Sequence, residues 1–509
     1  MESKTRSRLF YFTIFLLIGT AYSILFYRLD GDVMWHYKTG EFIVQNGFVT
    51  KKDVFSWQEN LNWMCHEWLY DVGLYLLYSK FGERAIKLLP GFAMLIPLLV
   101  SFYYNRKNIK NSLLYIVFLT VLIAYWNSSN CARPSEFSIG IMLIMAIQLI
   151  ENSKWKYISS LLLSILCVNI HGGSIAQLLV IPVLFIISDL LVALVKRESE
   201  KKNIIEHLIC LVLMVFGSLI NPYGAQIYKY TLNIFMGAKY INSHIQEWKP
   251  MVIQMIPAIV ILGSCLCMGA NEKFKEFDKN TIRKIILICG FLCEGMLTIR
   301  MFFNASCILM VFGYEYIEDY LIRLYDKIKP KTKKYNLRIP TKVKYIFIDS
   351  FLIIIFLTST TFLLLYGRSS DPNKTLLMAV DEKDPYMKEV TDYIKENNMD
   401  GRLFNAYGDG GPLILHDIKT FVDPRCDPFM EEFSSGNTSM YDYCVASDAK
   451  KTTKYLAWKE MQDKYKFDYG IFNKSMAVDR ELIESLKLRE NEVLVDNEGY
   501  TLINLTKEK

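Results

Sequence analysis

Apolar runs of about twenty residues recur along this chain, and nothing else in the sequence limits its fold so firmly. Examples are "LFYFTIFLLIGTAYSILFY" at 9–27, "IAQLLVIPVLFIISDLLVALV" at 175–195 and "YIFIDSFLIIIFLTSTTFLLLY" at 345–366. A helix of that length matches the hydrocarbon thickness of a bilayer. Inside a bilayer only helices and closed barrels satisfy every backbone polar group. The runs therefore predict a polytopic α-helical membrane protein with about eleven spans: 9–28, 86–104, 112–126, 137–152, 156–170, 174–195, 204–220, 251–270, 284–299, 302–320 and 345–367. The first run has no small-residue cleavage site and is followed at once by Asp30 and Asp32, so it reads as a retained helix rather than a signal peptide.

Charge sets the orientation. Lys and Arg concentrate at 4–8, 106–110, 154–156, 196–202, 273–284 and 323–344. These loops contain little else besides spacers, and the positive-inside rule puts them in the cytoplasm. The N-terminus is then inside, and an odd number of spans puts the C-terminal part outside. Two domains follow: a transmembrane domain at 1–370, with a first outer loop at 29–84, and an extracytoplasmic soluble α/β domain at 371–509. The net charge of +6 is this topology signal and calls for no nucleic acid. The 11 cysteines form no CxxC. Pairing of Cys426 with Cys444, or of Cys65 with Cys131, stays open.

The polar clusters fall on the outer side: "DGDVMWH" (30–36), "WMCHEW" (63–68), "ARP" (132–134), "NIHGG" (169–173), "NPYG" (221–224), "QEW" (246–248) and "IRMFFN" (299–304). In the first outer loop, apolar spacing predicts helices over 33–46 and 67–80, too short to span and placed flat at the interface. The segment joining them has turn chemistry and, by expectation, exposed aromatics. In the C-terminal part, helices are predicted at 385–397, 451–466 and 478–489. Strands are predicted at 402–407, 420–423 and 469–472, with a hairpin across 492–505.

Several of these residues have the chemistry of a site. Asp30 and Asp32 either hold a divalent cation, Mg or Mn, or set a carboxylate beside an acceptor hydroxyl. The plainer alternative is that Asp32 caps the following helix and Asp30 is solvated. His36, His66, Glu67 and His171 are further outer polar groups, and the chain has only six histidines. Each histidine taken singly is better explained as a satisfied interfacial residue. Arg133 and Arg300 suit a lipid-linked phosphate or simple anchoring to headgroups. Glu247 beside Trp248 is either a second carboxylate or an interface anchor. "GDGG" (408–411) reads as an anion-binding nest or as a tight turn.

Taken as a set, these motifs resemble the bacterial polytopic proteins related to the GT-C glycosyltransferase superfamily. The likeness is to a branch opening with D-x-D-x-W-x-H-x-x-x-G, here Asp30, Asp32, Trp35 (with Met34 before it), His36 and Gly40. The pattern continues through Thr50, Asp53, Phe55 and Ser56, then His66 to Trp68, Arg133–Pro134, and Asn169 with His171. It ends through Asn221 to Gly224, Glu247–Trp248, Arg300 with Asn304, "GRLFNAYGDGGPLI" and "FVDPRCD". The resemblance implies an inverting glycosyltransferase of the cell envelope, seated in the cytoplasmic membrane. It would move a sugar from a polyprenyl-phosphate donor to an extracytoplasmic glycan or protein acceptor. It makes Asp30, Asp32, His36, His66 and Glu67 the catalytic candidates, with Asp30 and Asp32 the ligands of any metal. Arg133, Arg300 and His171 are the candidates for the donor phosphate. Asn221, Glu247, Trp248, Asp423 and Arg425 are acceptor-binding or structural. The alternatives are a lipid-linked glycan transporter or scramblase, and a non-catalytic envelope-assembly scaffold.

Overall fold

The computed structural model describes residues 10–19, 21, 31–110, 114–116, 118–119, 133–197, 199–234, 249, 263, 278–328, 375–450, 453–487 and 492–506. The chain divides into two compact units. A helical unit takes Met1–Tyr27, Lys87–Gly224 and Ile245–Ser369, and an α/β unit takes Arg28–Ile86, Ala225–His244 and Ser370–Lys509. The segment Arg28–Ile86 thus belongs to the same unit as the C-terminal 140 residues.

In the helical unit, the helices Pro134–Ile150, Lys156–Ile170, Ile175–Lys196, Lys201–Ser218 and Lys279–Leu297 follow the apolar runs closely. Among the described residues, Glu83–Asn105 and Gly172–Lys196 are long and apolar enough to cross a membrane. The runs at 251–270 and 345–367 lie outside the described residues. Local chemistry explains the helix starts. Pro134 occupies the first helical position, where its missing N–H costs nothing, and Asp278 accepts from the Thr281 amide as an N-cap. The expected helix over 302–320 is broken into Phe302–Phe312 and Tyr314–Ile328 at Gly313. Neighbouring side chains take up the orphaned carbonyls at the break: Ser101 Oγ donates to the Met310 carbonyl (2.9 Å) and Asn105 Nδ2 to that of Val311 (2.9 Å).

The basic loop residues in this unit have acidic partners. Lys156 pairs with Glu206 (2.5 Å) and Lys110 with Asp319 (2.6 Å), and Lys279 pairs with Glu200. Deeper in, Asp189 is fully buried. Its Oδ1 accepts from Arg283 Nε and Nη2 (2.9 and 2.7 Å), and its Oδ2 lies 2.9 Å from His207 Nδ1.

In the α/β unit, β1 (Leu403–Phe404), β2 (Tyr469–Asn473), β3 (Glu492–Asp496) and β4 (Tyr500–Asn504) form one sheet in the order β1-β2-β4-β3. β1 runs parallel to β2 and the other pairings are antiparallel. The helices Pro385–Glu396, Lys454–Tyr465 and Ala477–Lys487 lie within a few residues of their predicted bounds. Asp384 caps the first of these and Pro385 opens it. Its buried face, Met387, Val390 and Ile394, shares a core with Leu403, Leu413, Ile471, Val495 and Leu502.

The predicted strand at 420–423 is instead a single bridge between Thr420 and Ser56. The first outer loop adds itself to the domain there. The Thr420 amide donates to the Phe55 carbonyl (3.0 Å), and the Trp57 amide donates back to Thr420 (3.3 Å). The Trp57 indole donates to the Leu403 carbonyl (2.9 Å) and stacks on Phe421. The aromatics expected to be exposed are therefore covered: Trp63 is buried, and Phe55 and Trp57 are half-buried. Their apolar area belongs to this domain's core, which is the physical reason that they occur in a loop.

Candidate functional site

Two helices of the α/β unit, Gly31–Asn46 and Trp68–Phe81, carry Asp32, His36 and Asp71, and His66 and Glu67 directly precede the second. The two helices cross very closely at Gly40, where a Cβ would come within 2.1 Å of the Asp71 carbonyl oxygen. Only glycine permits this approach, and it brings residues 36, 67 and 71 together. A second close approach fixes the start of the first helix. A Cβ on Gly411 would come within 2.4 Å of the Gly31 Cα. "GDGG" thus forms a short turn and the helix Gly410–Leu415, with its last glycine spent on backbone contact.

Asp32 lies in the first turn of its helix rather than at the cap, and its Oδ1 accepts from the Trp35 indole (3.2 Å). Trp35 in turn lies over the His36 ring at 3.6 Å. His36 is buried between two carboxyls: Nδ1 is 2.6 Å from Asp71 Oδ1, and Nε2 is 3.8 Å from Glu67 Oε2. On the far side of Glu67, Oε1 is 3.6 Å from His66 Nε2. His66 is flanked by Tyr230, whose ring centroid is 4.5 Å away. The Cys65 thiol donates to Asp71 Oδ2 (3.2 Å).

Burial dominates the electrostatics. Asp71 is held well above the usual carboxylate range by burial and then by Glu67. Cys65 is pushed up by burial and by Asp71. Asp427 is also raised well above its ordinary value, by burial first, with Arg425 opposing and Glu67 reinforcing. Burial thus works against the ionised form of Asp71 and Asp427.

Asp423 and Arg425 have a different character. The Arg425 guanidinium is buried, donating to Asp423 (Nε to Oδ1, 2.8 Å; Nη2 to Oδ2, 2.5 Å) and to Asp53 (Nη1 to Oδ1, 2.5 Å). It also faces the rings of Trp63 (4.6 Å) and Phe55 (5.1 Å). Arg425 thereby clasps the segment around Asp53 to the C-terminal part of the unit. The next residue, Cys426, adopts φ +59°, a conformation that costs a non-glycine residue energy, and so turns Asp427 inward.

The other candidates belong to the helical unit or lie outside the described residues. Arg133 caps the helix beginning at Pro134. Arg300 lies half-buried in the short turn Ile299–Met301. His171 ends the helix Lys156–Ile170, and its Nδ1 pairs with Ser174 Oγ. Asn221 holds its own turn: its amide donates to the Ser218 (2.6 Å) and Gly224 (3.1 Å) carbonyls, and its Oδ1 accepts from the Tyr223 amide (2.8 Å). Asp30, Glu247 and Trp248 lie outside the described residues. Cys65, Cys426 and Cys444 are in no disulfide, and Cys131 is outside the described residues.

The sequence reading missed Asp71, Asp427 and Cys65. Asp71 had a signal: it sits four residues after Glu67, on the same helical face, and is the one charge in the stretch "WLYDVGLYLLY" (68–78). Asp427 follows its motif partners in "FVDPRCD" but needed the turn at Cys426 to be placed.

No family model matches the sequence, and no curated protein matches it. Solved structures do match in three dimensions. The oligosaccharyltransferase AglB from Archaeoglobus fulgidus, in complex with an inhibitory peptide and a dolichol-phosphate, aligns at TM-score 0.52 and 12% identity, over 90% of this chain and 69% of its own. The Archaeoglobus fulgidus oligosaccharyltransferase tethered to an acceptor peptide containing the NVT sequon aligns at TM-score 0.53 and 11% identity, over 90% and 68%. The chain has a GT-C-like fold. ArnT from Cupriavidus metallidurans, bound to undecaprenyl phosphate, aligns over 99% of this chain and 97% of its own, at 12% identity and a lower TM-score of 0.47.

Proposed function

We propose that this protein is a membrane glycosyltransferase that moves a sugar from a polyprenyl-phosphate donor to a glycan or protein acceptor outside the cytoplasmic membrane. The observation that carries the reading is the convergence of Asp32, His36, His66 and Glu67 within one unit, on the fold of an oligosaccharyltransferase solved with a dolichol-phosphate. The eleven-span topology, with the N-terminus inside and the α/β unit outside, is part of the proposal. It is supported by the two long apolar helices and by the charge bias of the loops.

In this reading the acceptor hydroxyl attacks the anomeric carbon as its proton passes to a carboxylate, and the C–O bond to the lipid phosphate breaks with its electron pair on oxygen. Asp32 and Glu67 are the described carboxylates placed for that role, and Asp30 completes the set. Arg133, Arg300 and His171 receive the donor phosphate, and an arginine there stabilises the charge that develops on it. Glu247, Trp248 and Asn221 stay with the acceptor or the frame. Asp32 is half-buried and offers the hard oxygen that Mg or Mn takes. Asp30 and Asp32 would hold such an ion, which would supply positive charge against the leaving phosphate.

The test uses purified protein in lipid with a panel of polyprenyl-phosphate sugars, following release of the lipid phosphate. Release by the wild type that is lost in Asp32→Asn and Glu67→Gln supports the proposal. A folded wild type that releases nothing from any donor overturns it.

A further inference from the structure

Resting on that reading, we propose that Asp71 is the positioning residue of the site: it fixes the His36 ring with Nδ1 held inward, so that Nε2 faces Glu67 and the three groups handle the acceptor's proton as one relay.

The geometry carries this assignment. Asp71 has no exposed surface and lies in the first turn of an apolar helix, where a buried carboxyl without a partner is costly. Its two oxygens are directed to two different partners, Oδ1 to His36 Nδ1 at 2.6 Å and Oδ2 to the Cys65 thiol at 3.2 Å. The ring it holds is stacked beneath Trp35 and edged by Tyr70 at 5.2 Å, so it has little freedom to rotate. Its other nitrogen lies 3.8 Å from Glu67 Oε2. That is one small rotation, or one bridging water, from a hydrogen bond.

A carboxylate on the inner nitrogen selects the tautomer and raises the basicity of the outer one. The proton balance is complete. The acceptor O–H proton goes to the Glu67 carboxylate as the new glycosidic bond forms and the phosphate leaves with its electron pair. Glu67 then passes that proton to His36 Nε2. The imidazolium so formed is balanced by Asp71. The groups facing this relay are Cys65 and Tyr70 beside Asp71 and His36, His66 beyond Glu67, and Asp427 from the C-terminal part of the unit. Burial alone would favour the protonated acid, and the Nδ1–H that Asp71 Oδ1 accepts at 2.6 Å is the contact that offsets the cost of its charge.

The experiment pairs two readouts on the full-length protein in lipid. The first is nitrogen-15 NMR of histidine-labelled protein, in which six ring systems are resolved and His36 is assigned by its loss in His36→Gln. In the wild type at neutral pH, the His36 proton should be on Nδ1, shared with a carboxylate. Asp71→Asn should move the His36 titration down by about 1–3 pH units, the effect of removing an adjacent negative charge. A wild-type His36 protonated on Nε2 with a bare Nδ1 overturns the assignment without any variant, and so does a titration that Asp71→Asn leaves in place.

The second readout is steady-state transfer. Asp71→Asn should lower kcat about 100-fold, with KM within threefold, and move the acidic limb of the kcat profile with the His36 titration. An equal fall at every pH, tracking the folded fraction, marks a structural residue and overturns the proposal. If the wild type transfers no sugar from any donor, the transferase reading fails, while the NMR measurement still decides the role of Asp71.

Discussion

Two buried charge clusters in this molecule are built on opposite plans. In the helical unit one carboxylate, Asp189, lies between two basic groups, Arg283 and His207. In the α/β unit one imidazole, His36, lies between two carboxyls, Asp71 and Glu67, with Asp427 raised by the same Glu67. The first arrangement is balanced, and its members lose their partners if any one is removed. The second is over-supplied with acid, and burial raises Asp71 and Asp427, with Glu67 reinforcing both. Balance of the first kind holds helices together, and imbalance of the second kind is the arrangement that the proposed proton transfer would draw on.

Substitutions should separate the two plans. The largest effect is expected from Glu67→Gln, which keeps the shape and removes one of the crowded carboxylates. Transfer should fall by about 10²–10⁴-fold, the range for losing an acid–base group, while the melting temperature holds or rises. Lipid-phosphate release and thermal unfolding on the same preparation check both halves. Asp189→Ala should do the reverse to stability, leaving two buried bases unpaired at a cost of about 3–5 kcal/mol, seen as a lower denaturant midpoint. Asp53→Ala should cost the α/β unit a similar amount, because it strips one of the two carboxylates from buried Arg425.

A smaller loss is expected from Gly40→Ala. The added methyl meets backbone rather than a flexible side chain, so the two crossing helices must part. Strain of this kind costs about 1–3 kcal/mol, and the displaced His36 should reduce transfer further than the stability loss explains.

The smallest effect is a pH dependence. Asp409 is pushed up to about 7, chiefly by burial, with Asn473 opposing. A carboxyl whose folded value is raised binds its proton more tightly in the folded chain, so its contribution falls as pH rises from the ordinary carboxylate range to about 7. Above that it is flat and unfavourable. Asp409→Asn should therefore flatten the decline in melting temperature between pH 4 and 7 and raise it at pH 8.

Much of this was legible in the sequence, and the exceptions share a cause. The helices at 31–46 and 68–81 followed from apolar spacing, since burial of one face imposes a local period. The C-terminal helices and the 492–505 hairpin followed for the same reason. His36, His66 and Glu67 were picked out because imidazole and carboxylate are rare at the end of an apolar run. The clasp of Arg425 on Asp53 and the pairing of Asp189 with Arg283 join residues 372 and 94 positions apart, and no local pattern encodes such a meeting. The loop aromatics were misread because a loop that serves as another domain's edge looks, by itself, like any exposed segment. The "GDGG" glycines were ambiguous because a nest and a close backbone approach call for the same residue.

The bridge between Ser56 and Thr420 sets a timetable as well as a structure. Ser56 Oγ finds its acceptor 364 residues later in the chain. At a synthesis rate of ~5–20 residues per second, that wait is about 20–70 s. During it, Trp57 and Trp63 have no domain to cover them, and the early segment is a client for chaperones. The catalytic candidates near the start of the chain are thus among the last to reach their working geometry. A ribosome that stalls before Thr420 leaves Trp57 and Trp63 without the partners that cover them.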